Sequence, residues 1–117
     1  MDDKKLRTTE QAATVLPRLE AVIASRRGGD PDKSWTARLL ADAPALPARK
    51  LGEEATEVIL AAMQHDRDGL TAEAADLLYH LLVVLAAADI PLSAVLEKLQ
   101  QREAKSGIAE KQSRQTG

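Results

Sequence analysis

From Leu77 to Leu85 the chain reads Leu-Leu-Tyr-His-Leu-Leu-Val-Val-Leu, so a helix through it is apolar on nearly every side. Such a helix has no face to turn to water and must be buried. Phe is absent from the 117 residues, and Trp35 and Tyr79 are the only Trp and Tyr. A core must therefore come from Leu, Val, Ile and Ala, which favours packed helices over a β-sandwich. The expected fold is all-α, a bundle of four to five helices in one domain. One modest chain offers too few partners to cover an all-round apolar helix, so a homodimer with helices from both subunits in one bundle is predicted.

Acids open this same helix. Glu73, Asp76 and His80 stand at i, i+3 and i+7, on one strip. The preceding helix carries Glu53-Glu54-Ala-Thr-Glu57. At about 100° per residue, Lys50, Glu54, Glu57 and Ala61 share a strip roughly 60° wide beside a core stripe of Leu51, Ala55, Val58 and Ala62, and Glu53 points away. The short His65-Asp-Arg-Asp-Gly69 link makes the two helices antiparallel neighbours. Glu54, Glu57, Glu73 and Asp76 can then converge. Four facing carboxylates cannot all stay ionised without a cation, and oxygen-only ligands suit Mg²⁺, or Mn²⁺ as a substitute. The competing reading leaves these acids on the solvated faces of two amphipathic helices.

The remaining helices follow from periodicity and punctuation. Val15, Leu16, Leu19, Val22 and Ile23 recur at helical spacing, with Pro17 suited to a first turn and Gly28-Gly29-Asp30-Pro31 closing the helix. Ser34 is a candidate N-cap for a short helix through Leu40. Asp42 to Pro47, with two prolines three apart, reads as a connector, and the helix after it is expected from about Ala48 to Gln64. Gly52 inside that helix marks close approach or tight packing. The apolar helix is expected from about Thr71 to Ala88, and Leu92, Val95, Leu96 and Leu99 define a last amphipathic helix ending by about Lys105. Residues 1–10 read as a flexible N-terminus, 11–105 as the domain and 106–117 as a C-terminal tail.

Sixteen basic and 18 acidic side chains are mixed along the chain for a net charge of -2. There is no basic field for nucleic acid, so an anionic substrate must be held locally by a metal ion and a few Lys or Arg. The absence of Cys excludes disulfides and thiolate metal sites. The N-terminus has no apolar leader region and no uninterrupted apolar run reaches membrane length, so a cytoplasmic protein without a membrane partner is expected. Neither histidine forms the Glu-x-x-His motif of di-iron bundles. His80 reads as a satisfied core residue or as a group orienting a metal-bound carboxylate, and His65 as a solvated loop residue. Lys50 can meet a phosphate, form an i, i+4 ion pair with Glu54, or both.

Glu53-Glu54-x-x-Glu57 followed by Glu73-x-x-Asp76 resembles the signature of the all-α nucleoside triphosphate pyrophosphohydrolases of MazG type. Within that superfamily the stretches Asp30–Leu40, Arg49–Ala55, Glu73–His80 and Ser106–Arg114 are similar to the phosphoribosyl-ATP pyrophosphatases, and together they span roughly residues 15 to 114. The resemblance implies Mg²⁺-dependent hydrolysis of the α-β phosphoanhydride of phosphoribosyl-ATP to phosphoribosyl-AMP and pyrophosphate, the second step of histidine biosynthesis. It implies metal ligation by Glu54, Glu57, Glu73 and Asp76. It also implies that Lys33, Ser34, Trp35 and Thr36 shape part of the substrate pocket. Where the family usually has Tyr this chain has Trp35, which keeps a flat ring and lacks the hydroxyl; packing in the core or at a dimer contact is its other reading. Glu53, left over from the metal set, and Glu57 at its edge are candidates to orient the attacking water. A broad-specificity nucleoside triphosphate pyrophosphohydrolase and a non-catalytic helical interaction module are the alternatives.

Overall fold

A computed structural model describes residues 9–105 and Arg114, and the expected flexible N-terminus and C-terminal tail lie almost wholly outside them. The regular elements among the described residues are helices: α1 (Val15–Ser25), α2 (Trp35–Ala41), α3 (Ala45–Met63), α4 (Arg67–Ala87) and α5 (Leu92–Glu103). Residues 9–13 are also helical and lead into α1.

Two helix starts differ from the sequence reading. α3 begins at Ala45, three residues earlier than expected, with Pro47 buried in its first turn. The first amides of a helix have no intrahelical acceptor, so a proline there breaks no bond. α4 begins at Arg67, four residues before Thr71. Asp66 is its N-cap, and the Oδ1 atom accepts from the Gly69 amide at 3.0 Å. A Cβ at Gly69 would lie 2.2 Å from Asp66 Oδ2, so the glycine that reads as loop makes room for the cap instead.

The α3–α4 link shortens accordingly to Gln64, His65 and Asp66. His65 adopts a left-handed φ of 56°. Its amide bonds to the Ala62 carbonyl and the Asp66 amide to that of Ala61, the paired bonds of a Schellman motif. α4 ends the same way at Asp89, with φ of 57° and amides of Asp89 and Ile90 on the carbonyls of Ala86 and Leu85. Arg27 adds a side-chain hydrogen bond to the Ala86 carbonyl and an ion pair to Asp89 at 3.3 Å.

α4 is the central helix. Its main neighbour is α3, and α1 and α2 also pack against it. Ile23, Leu39, Leu82, Val83 and Leu92 form the buried core, drawn from α1, α2, α4 and α5. Full burial of each larger side chain contributes about 1.5–3 kcal/mol. Helical periodicity turns Leu82, Leu85 and Ala86 away from the strip of Glu73, Asp76 and His80, so α4 packs in two directions. By length and composition alone α4 could cross a membrane, yet here it is the axis of the bundle.

One connection was not visible in the sequence. Pro91 precedes α5 and offers no capping side chain; Glu20 of α1 reaches across, and its Oε2 accepts from the Leu92 amide at 2.6 Å. A carboxylate there satisfies an orphan donor and complements the helix dipole. The single chain does not bury α4 fully, since Leu78 is 45% exposed.

Candidate metal and substrate site

α3 and α4 run antiparallel from their tight link, which brings Glu54 on the first beside Glu73 and Asp76 on the second. Each of these three residues offers a carboxylate oxygen within 4.8 Å of the other two. Oxygens bound to one Mg²⁺ at about 2.1 Å lie roughly 3 to 4.2 Å apart, so the trio would draw closer together to surround such an ion. Glu54 Oε2 is buried with no hydrogen-bond donor among the described residues. A buried acceptor left without a donor is costly, and a cation or a proton would satisfy it.

The proton alternative is visible in Glu73. Its carboxyl titrates above the ordinary carboxylate value, first because of a hydrogen bond with Glu54, then through burial and through repulsion by Glu54 and Asp76. The donor set is all oxygen and anionic, which fits a hard divalent ion. Glu57, one turn beyond Glu54, is exposed and is not one of the three converging carboxylates.

The neighbouring groups fall into place around this trio. Lys50 pairs with Glu53, Nζ to Oε2 at 3.2 Å, and not with Glu54 as the i, i+4 spacing allows. Arg49 holds the other Glu53 oxygen at 3.9 Å. Glu53 is 53% exposed on the side predicted for it. Lys50 Nζ also lies 5.8 Å from the centre of the Trp35 ring, within cation–π range. Trp35 is 47% exposed, so it is a surface ring against a cation and not a core residue within this chain.

Ser34 caps α2 as its sequence suggests, with Oγ accepting from the Ala37 amide at 3.1 Å. Thr36 shares a hydrogen bond with the hydroxyl of Tyr79 on α4. Lys33 is exposed in the turn before α2. His80 is buried, and its Nδ1 donates to the Asp76 main-chain carbonyl at 2.9 Å while Nε2 has no partner among the described residues. Its ring meets Tyr79 edge-on with centroids 4.9 Å apart. Sequence reasoning missed Tyr79; its place one turn after Asp76 was the available signal.

Residues 16–103 match the model of the phosphoribosyl-ATP pyrophosphohydrolase family. The chain belongs to this family. The phosphoribosyl-ATP pyrophosphatase of Dinoroseobacter shibae is 60% identical over 101 residues, covering 86% of this chain and 99% of that one. Those of Caulobacter vibrioides, 56% identical over 106 residues, and Agrobacterium fabrum, 54% identical over 105 residues, each cover at least 90% of this chain and 98% of their own length. Family membership makes the chain a hydrolase, with the converging carboxylates inside the matched region.

Proposed function

We propose that this chain hydrolyses the α-β phosphoanhydride of phosphoribosyl-ATP, releasing pyrophosphate and phosphoribosyl-AMP in the second step of histidine biosynthesis, as a soluble cytoplasmic homodimer. The observation that carries the reading is the meeting of Glu54, Glu73 and Asp76 around a buried, donor-less oxygen in a chain that matches this family over residues 16–103.

Glu54, Glu73 and Asp76 would hold Mg²⁺, with Mn²⁺ as a substitute, and Glu57, exposed one turn away, would have to turn toward them to join the set. When bound, the ion supplies positive charge for phosphate oxygens and for the charge that develops on the leaving pyrophosphate. Lys50 stands beside Trp35 and one turn before Glu54, where its ammonium can move from Glu53 to a phosphate oxygen. Glu53 points away from the trio, so for its carboxylate to take a proton from the attacking water a second ion or the partner subunit would have to bring the site to it. Trp35 and Thr36 of α2, with Ser34 at its cap and Lys33 in the turn before it, would line the approach.

The dimer reading rests on exposed apolar surface. Ile59 is 62% and Met63 75% exposed on the outer face of α3, and Leu96 and Leu99 are about half exposed on α5. Gly52 lies on the same outer face as Ile59 and Met63, with no atom of the described residues within 4 Å of an added Cβ, so a partner helix can approach closely there.

Pyrophosphate release from phosphoribosyl-ATP, with Mg²⁺ and with EDTA, tests the reaction. Turnover is expected only with the ion and at least about tenfold faster than for a panel of ordinary nucleoside triphosphates. Equal rates across the panel would replace the assignment with a broad-specificity pyrophosphohydrolase.

A further inference from the structure

Two adjacent residues of α2 each touch a different helix of the carboxylate site. Trp35 lies against Lys50, one turn before Glu54 on α3. Thr36 is hydrogen-bonded to Tyr79, one turn after Asp76 on α4. A helix of seven residues is not stable on its own, so its position depends on contacts with its neighbours. Ala37 and Leu39 are its buried residues, and Thr36 adds a polar tie from its first turn to α4.

The Tyr79 ring is braced from behind. It stands edge-on to His80, and His80 is itself pinned to the Asp76 carbonyl. The phenol is therefore held in register with the helix turn that carries Asp76. Between a phenol and an aliphatic alcohol the phenol is the more acidic donor. With Tyr79 donating to Thr36 Oγ1, the Thr36 hydroxyl keeps its own proton to offer elsewhere. A hydroxyl so arranged suits an anionic or ether oxygen of a nucleotide.

We propose that Tyr79 is a positioning residue that fixes the first turn of α2 against the carboxylate site and leaves the Thr36 hydroxyl free to donate to the phosphoribosyl nucleotide. The consequence for substrate rests on the hydrolase reading above; the mechanical part does not. Tyr79 touches no reacting atom and acts through Thr36 and Trp35.

The test uses Tyr79→Phe, Thr36→Val, Thr36→Ser and the Tyr79→Phe/Thr36→Val pair, all of which keep nearly the native shapes. Because Trp35 is the only Trp, acrylamide quenching of its emission reports the first turn of α2 in the intact protein without any substrate. Tyr79→Phe and Thr36→Val should each raise quenching, and Thr36→Ser should restore the wild-type value. With phosphoribosyl-ATP, each of the first two should raise KM roughly 5- to 10-fold, the loss expected for one hydrogen bond, with kcat and Mg²⁺ affinity changed less than about twofold. The double variant should be no worse than the more severe single.

Unchanged Trp35 quenching in Tyr79→Phe overturns the proposal, as do multiplying effects in the double variant or a KM that stays put while Trp35 moves. A wild-type protein that fails to hydrolyse phosphoribosyl-ATP removes the assigned reaction instead, and the quenching series still decides whether Tyr79 holds α2.

Discussion

Glu54 and Glu73 face each other across the α3–α4 interface, each with a carboxylate oxygen within 4.8 Å of the other's, and a hydrogen bond between the two needs one of them protonated. Such a bond is the leading cause that lifts the Glu73 titration, and Glu54 Oε2 is buried with no hydrogen-bond partner among the described residues. The pair is a ligand set that is unfavourable when fully ionised and no cation is present.

Stability of the metal-free protein should fall as pH rises. Glu73 has a folded-state pKa above its unfolded value, so the folded state binds more protons in the window between the two. The penalty is absent below the unfolded pKa, grows through the window and is complete above the folded pKa. Melting temperature in EDTA should decline over that window, Glu73→Gln should flatten the decline, and saturating Mg²⁺ should reverse it. A Mg²⁺-independent profile at neutral pH would count against the ion site.

Glu54→Gln and Asp76→Asn should fold as well as wild type or better without metal, because each removes one of the facing charges. Both should lose roughly 100-fold or more in kcat/KM, about 2.7 kcal/mol of transition-state stabilisation. Each should also lose the Mg²⁺-dependent rise in melting temperature. Full activity in both variants would remove these carboxylates from the ligand set.

A charge on the outer face of α3 should separate the subunits. Met63→Glu and Ile59→Asp each place a carboxylate where a partner helix would bury it unpaired. Light scattering at micromolar concentration is expected to show a dimer for wild type and a shift toward monomer for these variants, with a dissociation constant raised by roughly 100-fold. A wild-type protein that is monomeric at that concentration would remove this interface.

Glu20→Ala should loosen α5 alone. It deletes the carboxylate that caps the Leu92 amide, at a cost of about 1–2 kcal/mol, and Glu20→Gln should recover part of this because it keeps an acceptor. Hydrogen exchange should speed at the start of α5 and remain slow in the middle of α4. Equal exchange in the two variants and wild type would deny the cap.

The α3–α4 link offers two substitutions of opposite sign. His65→Gly removes an L side chain from a left-handed backbone, a strain of about 1–2 kcal/mol, and adds unfolded-state freedom of about 0.5–1 kcal/mol; a net gain of up to ~1 kcal/mol is expected. Gly69→Ala places a Cβ against the Asp66 carboxylate and should cost about 1–2 kcal/mol as the cap is lost. Chemical denaturation would measure both.

Much of this arrangement is legible in the residue order. Apolar spacing gives α1 and α5, Ser34 gives the start of α2, and helical angle puts Glu54 on one strip and Glu73 with Asp76 on another, because a 3.6-residue period is a local property of the backbone. The two misplaced helix starts have a common cause: Pro47 and Gly69 read as breakers, while a helix's first turn tolerates a missing amide and can use a missing Cβ. Contacts between residues distant in the chain obey no such period. Only packing decided that Lys50 turns to Glu53 and Trp35, that Glu20 caps a helix seventy-two residues away, and that Tyr79 meets Thr36. Side-chain partners across an interface depend on how two helices are set against each other, which no single stretch of sequence encodes.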